Sequence, residues 1–304
     1  MDDVLLLTHI ETLVREIRED ASGVAEYERQ HGYEPRFLDY HSSYLSEPRH
    51  ATRTINGAVA RRRPILRWVE RLRREFGPEP TVLDVGCRYG TDSFLLAQMG
   101  CRVIGIDPEP DTVAVAGHRL PFWAPYLRSS GYPEFMVGYL EDIKSWPVDS
   151  FHGVFAAECL HHCEPVEDAL LAARRLMDEK GTAFVLESNA ANPAVVLKRN
   201  RIAPGARRVL LREGREFRLW GNENIRAPKR WQRLFRDCGF EVRERHFSRH
   251  LASELLVAPL IDPLLCHLPG AKLMSIHVAF ELNPVEAAVV AHADTDPVTS
   301  ACAL

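Results

Sequence analysis

Apolar residues recur along this chain in two rhythms. From residue 2 to residue 20 they fall three or four apart (Val4, Leu5, Ile10, Leu13, Val14, Ile17), which predicts an amphipathic helix. The same spacing returns from Gly57 to Phe76, where Ile65, Leu66, Val69 and Leu72 make one face and a run of arginines the other; Gly77-Pro78-Glu79-Pro80 stops it. Beyond that point the apolar residues gather into short runs: Thr81–Val85, Arg102–Ile106, Phe135–Leu140, Phe151–Ala157 and a run through Ala183 and Phe184. Helical patterns such as Ser93–Ala97 and Ala172–Met177 alternate with them. A helix over 228–238 and strands at Glu241–His246 and Ser275–Phe280 complete a seven-stranded set.

The first run carries the chemistry. It reads Val82-Leu83-Asp84-Val85-Gly86-Cys87-Arg88-Tyr89-Gly90-Thr91 and reopens at once as a helix. A strand, a tight turn and a helix N-terminus present backbone N–H groups and a positive dipole end to a ligand. The second strand closes on Asp107, at the place where an acid in nucleotide-binding α/β folds takes ribose hydroxyls. The glycines stand as Gly86-x-x-x-Gly90, with Arg88 between them, so the G-x-G-x-x-G of a dinucleotide site is absent, and no Lys-Ser/Thr follows as in a P-loop. A ribose-containing ligand with no phosphate to cradle fits that pattern.

This turn resembles motif I of the class I S-adenosylmethionine-dependent methyltransferases. The resemblance extends through Gly138–Ile143, Ser150–His162 with its Leu160-His161-His162 loop, and Ala172–Phe184, so it spans roughly residues 56 to 190 in order and spacing. It implies a doubly wound, mostly parallel seven-stranded Rossmann-like sheet, with S-adenosylmethionine as methyl donor and S-adenosylhomocysteine as product. It further implies cofactor contacts from Asp84, Gly86, Arg88, Gly90, Asp107, Leu140, Glu141 and Glu158. Two positions depart from the family pattern. Arg88 replaces a glycine and either crowds the donor's methionine part, pairs with its carboxylate, or points to solvent. Tyr139 stands where many relatives carry an aspartate for the adenine amine.

His161 and His162 follow the fourth strand, in a loop that borders cofactor and acceptor in the family. They are the candidate acid/base residues, because imidazole titrates near neutrality; packing or cofactor support is the alternative reading. Cys159, His161, His162 and Cys163 are too crowded at one strand-to-helix junction for the usual zinc spacings. No Asn/Asp-Pro-Pro-Tyr/Phe motif follows the strand, which argues against base or glutamine nitrogens as acceptors. The reading is methyl transfer to a hydroxyl, or an amine, of a small organic molecule, in a setting such as secondary metabolism. Its rivals are an inactive methyltransferase-like scaffold and methylation of a lipid-linked or phosphorylated acceptor.

Composition narrows the partners. A formal net charge of −4 gives no reason to expect nucleic acid, and the arginines from Arg61 to Arg74 read as the wet face of a helix. Seven scattered cysteines with no C-x-x-C do not form a disulfide framework. With no secretory signal and no bilayer-length apolar run, a cytoplasmic location is expected.

The remaining chain reads as additions to the methyltransferase domain of residues 56–282. Residues 1–55 form a helical and aromatic N-terminal extension, rich in rings from Tyr27 to His50. It reads either as a segment pinned to the core by those rings or as a lid over the acceptor pocket. Insertions fall near 190–225, where Lys198, Arg199, Arg201, Arg207, Arg208, Arg212 and Arg215 suit a solvated surface or an anionic one. A second insertion at 249–274 suits a cap, a homodimer face or peripheral membrane contact. Residues 283–304 read as a flexible tail.

Overall fold

The computed structural model describes residues 3–45, 48–128, 131–140, 150–202, 208–212, 215–220, 224–250, 270, 273 and 275–285. Helices α1 (Asp3–Glu19), α2 (Val24–Gln30), α3 (Arg36–Tyr40) and α4 (Pro48–Phe76) lead into the sheet. Then β1 (Thr81–Val85), α5 (Thr91–Gln98), β2 (Arg102–Asp107), α6 (Pro110–Trp123), β3 (Glu134–Val137), β4 (Phe151–Ala157), α7 (Val166–Leu176) and β5 (Met177–Ser188) alternate. After these come α8 (Pro193–Ile202), a hairpin of β6 (Arg208–Arg212) and β7 (Arg215–Trp220), α9 (Pro228–Asp237), β8 (Phe240–His250) and β9 (Ser275–Pro284).

The main sheet runs β3-β2-β1-β4-β5-β9-β8. The first five strands are parallel, and β9 pairs antiparallel with both β5 and β8. Strand order reverses between β1 and β4, and ligands of such sheets bind at the carboxyl ends beside that switch point. Every residue of β1 is buried, as a central strand covered on both faces requires.

Two apolar layers cover the sheet. On one side α1, α4 and α5 pack over Val82, Phe155 and Phe184, with Leu6, Ile10, Leu13, Trp68 and Phe94 fully buried. On the other, α7 and α9 bring Val166, Leu170, Trp231 and Phe235 against Leu83, Val154 and Phe280. The N-terminal helix α1 is thus part of a main core layer, and the boundary read at 55/56 falls inside α4.

Several element ends differ from the sequence reading. Helix α4 begins near 48, nine residues before Gly57, and continues through Pro64. No turn separates α7 from β5: the chain passes directly from Leu176 into an extended Met177, and Gly181 lies inside the strand, packed against the carbonyls of Asp178 and His152. The insertion at 190–225 contains α8 and the β6–β7 hairpin, whose register the apolar pattern did not announce. The tail read from residue 283 begins inside β9, where Asn283 and Pro284 pair with Glu241 and Phe240. Residues 251–269 of the second insertion and 286–304 of the tail lie outside the described residues.

Candidate active site

The glycine turn closes as its sequence requires. Gly86 and Gly90 have φ of 70° and 74°, in the left-handed region that side chains disfavour. A Cβ at 86 would stand 2.6 Å from the Cβ of Cys159, and one at 90 would stand 2.7 Å from Cζ of Phe135. The amides of Gly86 and Cys87 both donate to the Ile106 carbonyl, which folds the turn over the end of β2. Arg88 also has positive φ, 49°, although it is not a glycine. Its guanidinium is exposed and lies 4.2 Å from the centre of the Tyr40 ring.

The two strand-end acids act first on the turn itself. Asp84 is buried, accepts a hydrogen bond from Ser93 Oγ at 2.5 Å and so ties β1 to the first turn of α5. Burial pushes its carboxyl up to about 8. Asp107 Oδ2 accepts from the Arg88 amide at 3.0 Å, while Oδ1 accepts from the Glu109 amide and the Thr112 hydroxyl. Burial raises its pKa, and those bonds oppose the rise. Leu140 is buried just beyond β3, and Glu141 lies outside the described residues.

At the end of β4 Glu158 adopts a φ of 55°, a second strained non-glycine position at the sheet edge. Its carboxylate accepts from Ser188 Oγ at 3.0 Å and lies 3.7 Å from Nε2 of His277, which β9 brings to the same edge opposite Ser188. The next residues form a single 3-10 turn, Leu160–His162. It turns His161 inward, where Nδ1 meets Oε2 of the buried Glu187 at 2.6 Å; the other Glu187 oxygen accepts from the Leu160 amide at 2.9 Å. The His162 ring lies tilted against that of His161, at 43° with ring centres 4.0 Å apart. Among the described residues no group of three or more His, Cys, Asp or Glu side chains is placed to hold a metal ion.

The N-terminal rings close on the glycine turn. Phe37, Tyr40 and His41 pack within 5.4, 5.5 and 6.2 Å of the Tyr89 ring. Beneath them Arg62 of α4 is buried and donates to Asp92, at the start of α5, at 2.6 Å. Arg62 is thus an exception to the wet face expected for these arginines. Its Nη1, the Tyr89 hydroxyl and Nε2 of His41 are buried without a hydrogen-bond partner among the described residues. Sequence reasoning missed Arg62 because nothing in an arginine run marks a member that turns inward. It had no means of pairing Glu187, at the end of β5, with His161.

Such a turn and acid-tipped strand, on a sheet of this order, are the arrangement that the resemblance to class I S-adenosylmethionine-dependent methyltransferases implies. Residues 83–185 match the family described as methyltransferase domain. Ubiquinone biosynthesis O-methyltransferase of Xanthomonas oryzae pv. oryzae is 34% identical over 116 residues, which cover 38% of this chain and 46% of that protein. The mitochondrial enzyme of the same name from Bos taurus is 31% identical over 108 residues, covering 36% of this chain and 28% of the bovine protein. The chain spans less than half the length of these curated relatives. Magnesium protoporphyrin IX methyltransferase of Synechocystis PCC 6803, with bound SAH, superposes with a TM-score of 0.52 at 17% identity, over 85% of this chain and 97% of its own, which establishes the shared fold. No helix of the described residues is long and apolar enough to cross a membrane.

Proposed function

We propose that this chain transfers the methyl group of S-adenosylmethionine to a hydroxyl of a small organic molecule. The observation that carries the reading is the buried His161–Glu187 pair, set on the same sheet edge as the glycine turn and Asp107.

The site fits the donor on its own terms. Gly86 and Gly90 let the turn close against Cys159 and Phe135, where a Cβ would collide, and so set the backbone that would face the donor. The half-paired Arg62 guanidinium and the Tyr89 hydroxyl suit a carboxylate, as the methionine end of the donor supplies. Asp107 would take the ribose hydroxyls, with Leu140 at the adenine. The donor, when bound, supplies an already electrophilic methyl group.

The protein's task is therefore to align the acceptor, exclude water and remove a proton. Glu187 fixes the ring of His161 through Nδ1, so proton exchange with an acceptor hydroxyl runs through Nε2. Glu187 then stabilises the imidazolium that forms, as a carboxylate behind a catalytic histidine does. His162 lines the same turn, and Glu158, Ser188 and His277 offer polar contacts to the acceptor. The rings of α3 shield the donor side from water. The names of the relatives favour oxygen over nitrogen as the accepting atom. A place in secondary metabolism rests on the sequence resemblance.

The test is methyl transfer from labelled donor to a panel of phenols, catechols, aliphatic alcohols and amines. Product at a hydroxyl is expected, with His161→Gln and Glu187→Gln each losing on the order of 10²–10⁴-fold in turnover while S-adenosylhomocysteine affinity is retained. Tight binding of S-adenosylhomocysteine with no product from any acceptor would favour the inactive scaffold.

A further inference from the structure

A buried ion pair ties the N-terminal helix to the glycine turn. Arg119 of α6 and Glu16 of α1 are both fully buried. Nε and Nη2 of Arg119 donate to Glu16 Oε1 and Oε2 at 2.8 and 2.6 Å. The remaining terminal nitrogen, Nη1, donates to the Tyr89 carbonyl and to Thr91 Oγ1 at 3.2 Å. Those two acceptors flank Gly90, the left-handed residue from which α5 starts. Phe37 and Phe94 lie under the guanidinium, 4.7 and 5.2 Å from its carbon, and Trp123 Nε1 adds a bond to Glu16 Oε2 at 3.0 Å.

Burying such a pair is expensive, and apolar residues of the same volume often stabilise a core as well or better. What apolar residues cannot do is hold a backbone carbonyl and a hydroxyl at fixed positions on either side of a glycine. One planar side chain here grips α1 with one edge and the donor turn with the other.

We propose that Arg119 is a positioning residue for the donor turn, and that Glu16 couples docking of α1 to cofactor affinity. The inference rests on the reading of that turn as the donor site. It implies reciprocity: whatever breaks the Arg119–Glu16 link weakens donor binding, and donor binding protects that link.

The test is calorimetric titration of the full chain with S-adenosylhomocysteine, paired with thermal unfolding and ligand-free hydrogen exchange. Glu16→Gln and Arg119→Lys are expected to weaken binding at least tenfold at a temperature where circular dichroism shows them folded. Trp123→Phe, which removes a bond to Glu16 but none to the turn, lowers Tm yet stays within about threefold of wild-type affinity. Exchange in Arg119→Lys rises across residues 88–92 and in α1, while β4 and β5 keep their protection. Thr91→Ala removes only the hydroxyl end of the relay, and with unchanged Tm it should still weaken binding severalfold; it decides the matter if the other two fail to fold. Wild-type affinity and unchanged turn protection in these variants would overturn the proposal and leave a purely structural ion pair. If the wild-type chain itself binds no S-adenosylhomocysteine, the donor reading fails and the exchange arm alone decides the coupling. Loss of protection confined to α1 and the turn then supports it, and unchanged protection overturns it.

Discussion

The hydroxyl of Ser93 donates to Asp84 across 2.5 Å, at a carboxyl that the protein has removed from water. Burial holds that group protonated up to about pH 8, whereas in the unfolded chain it ionises near 4. Between those values folding must take up a proton. Asp84 therefore favours the folded state most at low pH, and that stability is lost as pH rises through about 8, at up to about 1.4 kcal/mol per pH unit. Asp84→Asn should flatten this slope. Thermal unfolding from pH 5 to 8 checks it: wild type should lose stability relative to the variant as pH rises, and parallel curves would contradict the assignment.

Gly86→Ala combines two penalties. A left-handed φ costs an alanine about 1 kcal/mol, and forcing its methyl against Cys159 adds about 1–3 kcal/mol. Urea unfolding should show a loss of about 2–4 kcal/mol in total. Adding Cys159→Gly should return the steric share and leave the backbone share, whereas Cys159→Ala, which keeps the offending Cβ, should return little.

Asp107→Asn keeps an acceptor for the turn but removes the charge meant for ribose. Hydrogen bonds to a charged group are worth about 1.5–3 kcal/mol, so S-adenosylhomocysteine should bind roughly one to two orders of magnitude more weakly. Unchanged calorimetric affinity would remove Asp107 from the site.

Leu13→Ala should cost about 2–5 kcal/mol, the price of a cavity in a closed core, because Leu13 is fully buried in the layer that includes Trp68 and Phe155. Leu7→Ala, on the exposed side of the same helix, should stay within about 0.5 kcal/mol. Equal small effects would mean that α1 is a loosely docked extension.

The sheet was legible because its strands announce themselves locally. Val82, Leu83, Val103 and Ile104 are apolar without alternation, and Gly86, Gly90 and Asp107 punctuate them at spacings that chemistry demands. What escaped was set by distant partners. Arg62 differs from its neighbours only in facing Asp92 across thirty residues. Glu187 gains its meaning from His161, and Glu16 from Arg119, 103 residues away. The rings of Phe37 and Tyr40 were visible as composition, but their placement on Tyr89 depends on how α3 meets the turn. Periodicity reports which residues are buried, not what they meet.

The position of β9 carries a consequence for synthesis. Strand β9 lies between β5 and β8, yet it follows both in the chain. Until residue 284 has left the ribosome, β5 has an open edge and β8 has no strand to pair with among those described. The nascent domain must therefore wait with a buried-type strand exposed, a state in which edge-to-edge association competes with folding. Chains halted before Ser275 should need chaperones, and those reaching Pro284 should not.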